Sequence, residues 1–389
     1  MNVFCLGGAG RICREAVLDL VQYSEFERIT IGDFNIEEAQ RVADELNDPR
    51  VDAVRVNVRD HDATVAQLRG YDIVMDGTTI TLNGLSTACI AEAGCHGINL
   101  NGFGDEDRSQ DGFVRHGRTC LPGFGMTPGV TQMMAMHAAN QLDEVREVRV
   151  SHGSYRPIAF SKSIAETTTY EYDPQLPGRV VYENGAFLQV PPFARPREIR
   201  LPEPYGTAVQ YIIPHAETRT LAAALEAKGV RLIEVRGTWP QQNMRLVRAL
   251  YEYGFMRNDT ITVGDTQIGI MDAIGAYLCE APEGRATELY GYALHVEVTG
   301  IAGGRLMRHT LTHTHPSSDG SIPGWEGLRA YTRNVGIPLA IATELIAKGE
   351  TLCADRPGIV TPEEAFKPRV IFEALRKRDI HIHETIESL

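Results

Sequence analysis

Two hydrophobic periods alternate along the first third of the chain. Short apolar runs (NVFCL, RITIGD, AVRVNV, YDIVMDG and GINLN) are separated by stretches in which apolar residues return every three or four positions: REAVLDLVQY, IEEAQRVADEL, ATVAQLRG and LSTACIAEAG. Apolar runs of that length fit strands buried on both faces, and the longer repeats fit helices with one buried stripe. Strand and helix in alternation predict a parallel, doubly wound α/β sheet. The pattern changes after LPGFGMTPGV. From about residue 144 come the β-rich runs EVREVRVSH, RVVYEN, VRLIEVRG, GYALHVEVTG and RHTLTHTH, broken by the Pro-rich loop QVPPFARPREIRLPEPYG. These predict a second, α+β domain. Helical periodicity returns at WEGLRAYTRN and PLAIATELIAKG.

The first strand runs into a turn, Gly8-Ala9-Gly10-Arg11-Ile12-Cys13, a G-x-G-x-x-G frame with cysteine in third place. Such a frame supplies a tight turn at its first glycine, close backbone approach to a pyrophosphate at its second, and a helix N-terminus whose free N–H groups face the anion. An acid belongs about 20 residues further on, and Asp33 closes the second strand there. Its carboxylate would accept from ribose hydroxyls and repel a 2′-phosphate, which favours NAD over NADP. Arg11 is the residue able to reach a 2′-phosphate. Further contacts are expected at strand ends on the carboxyl edge: Asn57 and Val58 around the adenine, Gly77, Thr78 and Thr79 along the nicotinamide ribose, and Asn101 and Gly102 after the fifth strand. Ile12 completes the cradle at the start of the helix.

Composition narrows the class. The 389 residues are 43% hydrophobic and 23% charged, with a formal charge of -13. An acidic surface is a poor partner for nucleic acid or anionic lipid. No stretch of 18 apolar residues offers a membrane span. Seven cysteines without a C-x-x-C pair read as reduced thiols, not as a disulfide frame or zinc site, and the early first strand leaves no room for a signal peptide. The expected location is cytoplasmic.

LPGFGMTPGVTQMMAMHAANQL reads as a second helix start, with Thr127 as N-cap and Pro128 in the first helical position. Together with the glycine turn, Glu171-Tyr172, Asn184-Gly185, PHAETRTL, VRGTWPQQNMRLVRAL, RAYTRNVGIPLAIATELIAKG and GIVTPEEAF, this segment resembles the saccharopine dehydrogenase (saccharopine reductase) family, which includes lysine 6-dehydrogenases. The resemblance covers essentially the whole chain. It implies a Rossmann domain over 1–126, an α+β substrate and dimerisation domain over 127–325, and a helical segment over 326–389 packing back on the first domain. It also implies a homodimer, and hydride transfer between nicotinamide and an amine carbon of an amino-acid substrate by way of an imine. The chain departs from lysine-dehydrogenase-like members after the fifth strand. It reads Asn99-Leu100-Asn101-Gly102-Phe103 where they carry Asp-Leu-Gly-Gly-His.

An amino-acid substrate needs cations for its carboxylates, acceptors for its ammonium and a proton route. Arg156 and Arg245 are the candidates for the carboxylates, and Thr127 at its helix start for an anion or the nicotinamide amide. Glu217 is the better candidate for the ammonium and Glu166 the poorer, Glu171 and Tyr172 belong to the expected substrate site, His215 is the candidate for general acid–base work, and Tyr155 and Tyr172 could relay protons. In HTLTHTH, His309, His313 and His315 share one strand face, but nothing makes them converge on one ion, and no metal is expected. The expected activity is oxidation at a C–N bond, of the saccharopine or lysine 6-dehydrogenase kind. A carboxynorspermidine- or opine-type dehydrogenase, or a non-catalytic NAD sensor on the same fold, stands as the alternative.

Overall fold

A computed structural model describes residues 1–102, 105–174, 178–257, 259–280 and 289–389. The chain forms two compact units. One comprises Met1–Met133 and Thr332–Ile380, the other Met134–Tyr331 and His381–Leu389. The division falls inside two helices, Val130–Ala139 and Arg329–Ala347.

In the first unit the predicted alternation is realised as β1 (Asn2–Leu6), α1 (Cys13–Tyr23), β2 (Arg28–Asp33), α2 (Ile36–Leu46), β3 (Val51–Arg55), α3 (His61–Leu68), β4 (Ile73–Asp76), α4 (Asn83–Ala93) and β5 (His96–Asn99). A short strand β6 (Thr119–Leu121) and the two-residue strand Gly358–Ile359 complete a seven-stranded parallel sheet. Its order is Gly358–Ile359, β6, β5, β4, β1, β2, β3. The chain reverses direction between β1 and β4, the place where doubly wound sheets open a ligand crevice at their carboxyl ends. Phe4, Leu6, Val56, Val58, Val65, Leu68 and Val74 pack one face of this sheet. Helix starts are fixed locally: Asn35 accepts the Glu38 N–H at the head of α2, and Asp60 the Ala63 N–H at the head of α3.

The second unit is built on a mixed sheet. Its path runs Arg197–Arg200, Thr207–Ile212, Leu232–Thr238, Glu144–Tyr155, Gly291–Ala302, Arg305–Thr314 and His381–Ser388. Two short strands, Val180–Glu183 and Ala186–Gln189, pair off this path. The five β-rich runs read from the sequence all lie in this sheet. The end of the chain does not follow its expected helical character: after the helix Pro368–Arg376, residues His381–Ser388 are a strand. HIHETIES alternates with period two and carries two β-branched isoleucines and a threonine, which fits an extended segment.

All seven cysteines are free, six of them buried. Among the described residues, no helix is long and apolar enough to cross a membrane.

Candidate active site

The glycine turn is the candidate cofactor site of the first unit. Gly7 takes φ +69°, and its N–H donates to the Gly32 carbonyl at 2.7 Å, so the positive-φ residue stands one place before the first glycine of the expected frame. Gly8 is needed for packing: a Cβ there would lie 2.7 Å from the Cys5 carbonyl oxygen. Among the described residues, the N–H groups of Arg11, Ile12 and Cys13 have no backbone acceptor, and no side chain caps α1. Orphan donors at the positive end of an eleven-residue helix fit a diphosphate. The cysteine in third place is accommodated by Gly77, where a Cβ would meet the Cys13 Sγ at 1.9 Å.

Asp33 ties this turn to the next loop. One carboxylate oxygen accepts from the Ala9 N–H at 3.3 Å and the other from the Asn35 N–H at 3.0 Å. Burial raises its pKa, and the N–H groups it accepts oppose the rise. Each oxygen keeps acceptor capacity for a ribose hydroxyl. The sequence shows no cation beside Phe34, but the sheet register sets Arg55 opposite Asp33, with its guanidinium 5.3 Å from the ring of Phe34, itself 62% exposed. Arg11 is exposed. Asn57 caps the start of the β3–α3 loop, accepting from Arg59 N–H at 3.2 Å, while the side chain of Val58 belongs to the core.

Along the carboxyl edge a buried polar network holds the loops after β4, β5 and β6. Asp76 accepts from the Thr78 N–H at 2.9 Å, from Asn83 Nδ2 at 3.1 Å and from the Ser86 hydroxyl. This fixes the Gly77-Thr78-Thr79 segment. Asn101 donates its side-chain amide to Asn83 Oδ1 and its N–H to Asn99 Oδ1, which also accepts from Gly123 N–H at 3.1 Å. Asn99 Nδ2 in turn donates to Glu106 Oε1 at 3.0 Å. An aspartate at 99 would set two carboxylates against each other here. The departure from Asp-Leu-Gly-Gly-His is therefore matched by Glu106. Phe103 lies outside the described residues, and Gly102 takes φ +70°.

Thr127 and Pro128 do not start a helix. Their peptide bond is cis, the Gly125 N–H donates to the Pro128 carbonyl, and the Val130 N–H donates to the Gly125 carbonyl. The loop closes on itself, so the helix begins at Val130, and the side chain of Gln132 accepts the Gly129 N–H.

The second unit gathers a different cluster. His215 Nδ1 lies 3.3 Å from Glu217 Oε2, and Glu217 is the first residue of the helix Glu217–Leu225, where the helix dipole favours its negative charge. Both are buried. Burial alone would lower the pKa of His215; Glu217, with Glu171 behind it, overrides this and raises it. Burial lifts the pKa of Glu171. Four rings stack in sequence: His215 on His152 at 5.5 Å, His152 on Tyr292 at 5.7 Å, and Tyr292 on Tyr331 at 5.4 Å. His152 is 3% exposed, and burial and its charged neighbour push its pKa down to about 3, so it is neutral. Its Nδ1 faces the Ser154 hydroxyl at 3.4 Å, and its Nε2 has no partner among the described residues. Gly237, in the VRGTWP segment, clears the space: a Cβ there would lie 2.8 Å from that Nε2.

Arg156 is 2% exposed, and its charge opposes the rise in the pKa of Glu171. It donates one N–H pair to the Pro157 and Ile158 carbonyls, both at 2.9 Å, and its Nε is unpartnered. Trp239, Tyr331 and Phe160 surround the guanidinium at 5.4, 5.5 and 5.9 Å.

Three sequence candidates fall outside this cluster. Tyr155 is on the same strand as His152 and Ser154, with Arg156 just past its end, but at odd spacing from His152, so its side chain leaves the opposite face of the sheet. There it packs with Ile199, Leu201 and Ala293 and donates to the Tyr205 carbonyl. Tyr172 is core, wedged against Phe193 and Trp239 with its hydroxyl toward Met244. Arg245 is exposed on the outer face of the helix Gln241–Glu252, whose inner face is Asn243, Met244 and Val247. Conversely, His152 was missed; the signal was its spacing from Arg156 at period two. The three histidines of HTLTHTH go to separate partners. His309 meets Glu384 at 2.7 Å, His313 accepts the Leu294 N–H at 3.1 Å, and His315 meets the Tyr205 hydroxyl at 2.9 Å.

Comparison with known proteins agrees with both halves. The family model for the saccharopine dehydrogenase NADP binding domain matches residues 3–117, and that for the saccharopine dehydrogenase C-terminal domain matches residues 125–380. Among solved structures, apo saccharopine dehydrogenase (L-Glu forming) from Saccharomyces cerevisiae superposes with a TM-score of 0.74 at 15% identity, covering 99% of each chain. A probable dehydrogenase from Thermotoga maritima gives a TM-score of 0.48 at 12% identity over 98% of each chain. The uncapped helix start over a glycine turn, the strand order and the matched models lead to one conclusion: the chain is an oxidoreductase of the saccharopine dehydrogenase family, built to bind a nicotinamide cofactor.

Proposed function

We propose that this protein is an NAD-dependent dehydrogenase that oxidises a C–N bond of an amino-acid substrate, of the saccharopine or lysine 6-dehydrogenase kind. One observation carries the reading: the buried His215–Glu217 pair lies in a cluster that keeps an unpartnered acceptor, His152 Nε2, and an unpartnered donor, Arg156 Nε. Buried polar atoms are rarely left unpaired, and a neutral acceptor beside a guanidinium suits the ammonium and the carboxylate of a zwitterion.

A bound nicotinamide would supply the hydride acceptor for the carbon bearing the amine. The orphan N–H groups of Arg11, Ile12 and Cys13 would hold its diphosphate, and Asp33 would accept from the adenosine ribose. Arg156 binds a substrate carboxylate, and its aromatic surround excludes water from that ion pair. His152 Nε2 accepts a substrate N–H. Glu217 holds His215 Nδ1, so the proton given up by the amine nitrogen passes to Nε2 of the same ring. Loss of hydride and proton together leaves an imine, which water hydrolyses.

The test is the appearance of reduced cofactor with NAD or NADP against saccharopine, lysine, ornithine and carboxynorspermidine. Turnover on one of them with NAD preferred is expected. Silence across the panel, with NAD binding measured separately, would overturn the catalytic reading. Asp33→Ser should raise KM for NAD by roughly tenfold, the worth of one charge-assisted hydrogen bond, and narrow the preference over NADP. A wild type that already prefers NADP would assign the phosphate to Arg11 or Arg55.

A further inference from the structure

Two carboxylates of the second unit's cluster stand at opposite kinds of helix end. Glu217 opens the helix Glu217–Leu225, where the dipole favours a negative charge, and has His215 beside it. Glu171 lies in the last turn of the helix Lys162–Tyr172, where the dipole opposes one. It is buried, and its carboxylate enters no hydrogen bond or ion pair among the described residues. Arg179, the buried cation nearby, gives its Nη2 to the main-chain carbonyls of Glu171 and Asp173 instead. Burial raises the pKa of Glu171 against the pull of His215, Arg156 and Arg179. A cation brought here would meet an open carboxylate and the negative end of a helix together.

Arg156 offers the complementary group, once. Its Nη1 is committed to the Pro157 and Ile158 carbonyls, and the edge formed by Nε and Nη2 carries no hydrogen bond among the described residues. Such an edge takes one carboxylate, held by two parallel bonds. These groups act on one another: Arg156 and His215 both favour the charge of Glu171, and Arg156 and Glu217 both bear on His152. Charge for charge, the cluster has room for one ligand carboxylate, for the nitrogen that His152 Nε2 accepts, and for a second ammonium at Glu171. A second ligand carboxylate would face Glu171 uncompensated, at the cost of burying an unpaired charge.

We propose that the substrate is a diamino acid with a single carboxylate, and that Glu171 holds the ammonium that does not react. The inference rests on the reading of this cluster as the amino-acid site. It separates lysine and ornithine from saccharopine, whose additional carboxylates would have to displace the ammonium at Glu171.

Calorimetry on the full chain without cofactor compares ligands of equal chain length. These are lysine; norleucine and 6-aminohexanoate, which each lack one of its amines; and 2-aminoadipate, with a carboxylate in place of the distal amine. Lysine should bind roughly tenfold more tightly than either single-amine ligand, the worth of a charge-assisted hydrogen bond, and 2-aminoadipate should bind most weakly. Glu171→Gln should erase the preference over at least one single-amine ligand, which names the ammonium it holds, and Glu171→Asp should keep part of it. Saccharopine or 2-aminoadipate binding as tightly as lysine overturns the proposal and assigns the second carboxylate to the open Nε of Arg179. So does a Glu171→Gln variant that keeps both preferences. The wild-type ranking needs no variant, so it decides alone if Glu171→Gln fails to fold. Lysine bound as expected but never oxidised would sink the catalytic reading and leave this recognition standing. Lysine oxidised while saccharopine binds more tightly would do the reverse. No binding by any of these ligands removes the amino-acid site and both readings with it.

Discussion

The two buried polar clusters differ in what they leave unmet. Around Asp76, Asn83, Ser86, Asn99 and Asn101, hydrogen bonds join side chain to side chain and side chain to backbone across three loops. Around His152, Arg156, His215 and Glu217 the charges are greater, yet His152 Nε2 and Arg156 Nε have no partner among the described residues. A satisfied network holds a backbone still; one with spare donors and acceptors is shaped for something else to complete it. The first cluster holds its loops in place, and the second is the one the proposed substrate would complete.

That contrast can be broken experimentally, the largest effect first. Glu217→Gln should lower kcat by roughly 10² to 10⁴ fold, the usual range for losing a general acid–base function. It should also move the rising limb of the pH profile to lower pH, because Glu217 is what raises the pKa of His215. An unmoved limb would remove His215 from the proton route. Asn99→Asp attacks the other cluster: it replaces the amide that donates to Glu106 with a second carboxylate and should cost about 2 kcal/mol of stability, read from denaturant unfolding. The same substitution should leave the second unit's histidine titrations alone. Gly77→Ala is smaller and sharper. It should cost on the order of 1–3 kcal/mol through overpacking against Cys13, and Cys13→Gly in the same chain should recover most of it.

The doubly wound sheet was legible because each of its buried strands is a short apolar run and each helix an amphipathic repeat. The second sheet was legible only in its long strands. Arg197–Arg200 and His381–Ser388 carry polar and charged residues, as edge strands do, and so lack a hydrophobic signature. The recognition cluster was half legible. His215, Glu217, Glu171 and Arg156 stood out by chemistry, but what joins them is packing between His152 and Gly237, far apart in sequence. Period-two parity would have separated Tyr155 from Arg156 in advance, and helical spacing would have put Arg245 outside.

The first unit is made from two stretches of chain, and the second stretch supports the glycine turn directly. At Gly336 a Cβ would come within 2.8 Å of the Ile12 carbonyl oxygen and 2.9 Å of the Ala16 nitrogen, so the returning helix lies flush on the start of α1. Further on, Arg378 makes a buried ion pair with Asp19 on α1, at 3.1 Å. Chains are synthesised from the amino end, at about 5–20 residues per second. The cofactor turn, among the first residues to leave the ribosome, thus gains its backing only after residue 336 has emerged and its ion pair only after residue 378. A nascent chain stalled in the middle of the second unit carries a nucleotide fold with six of its seven strands in hand and its back uncovered.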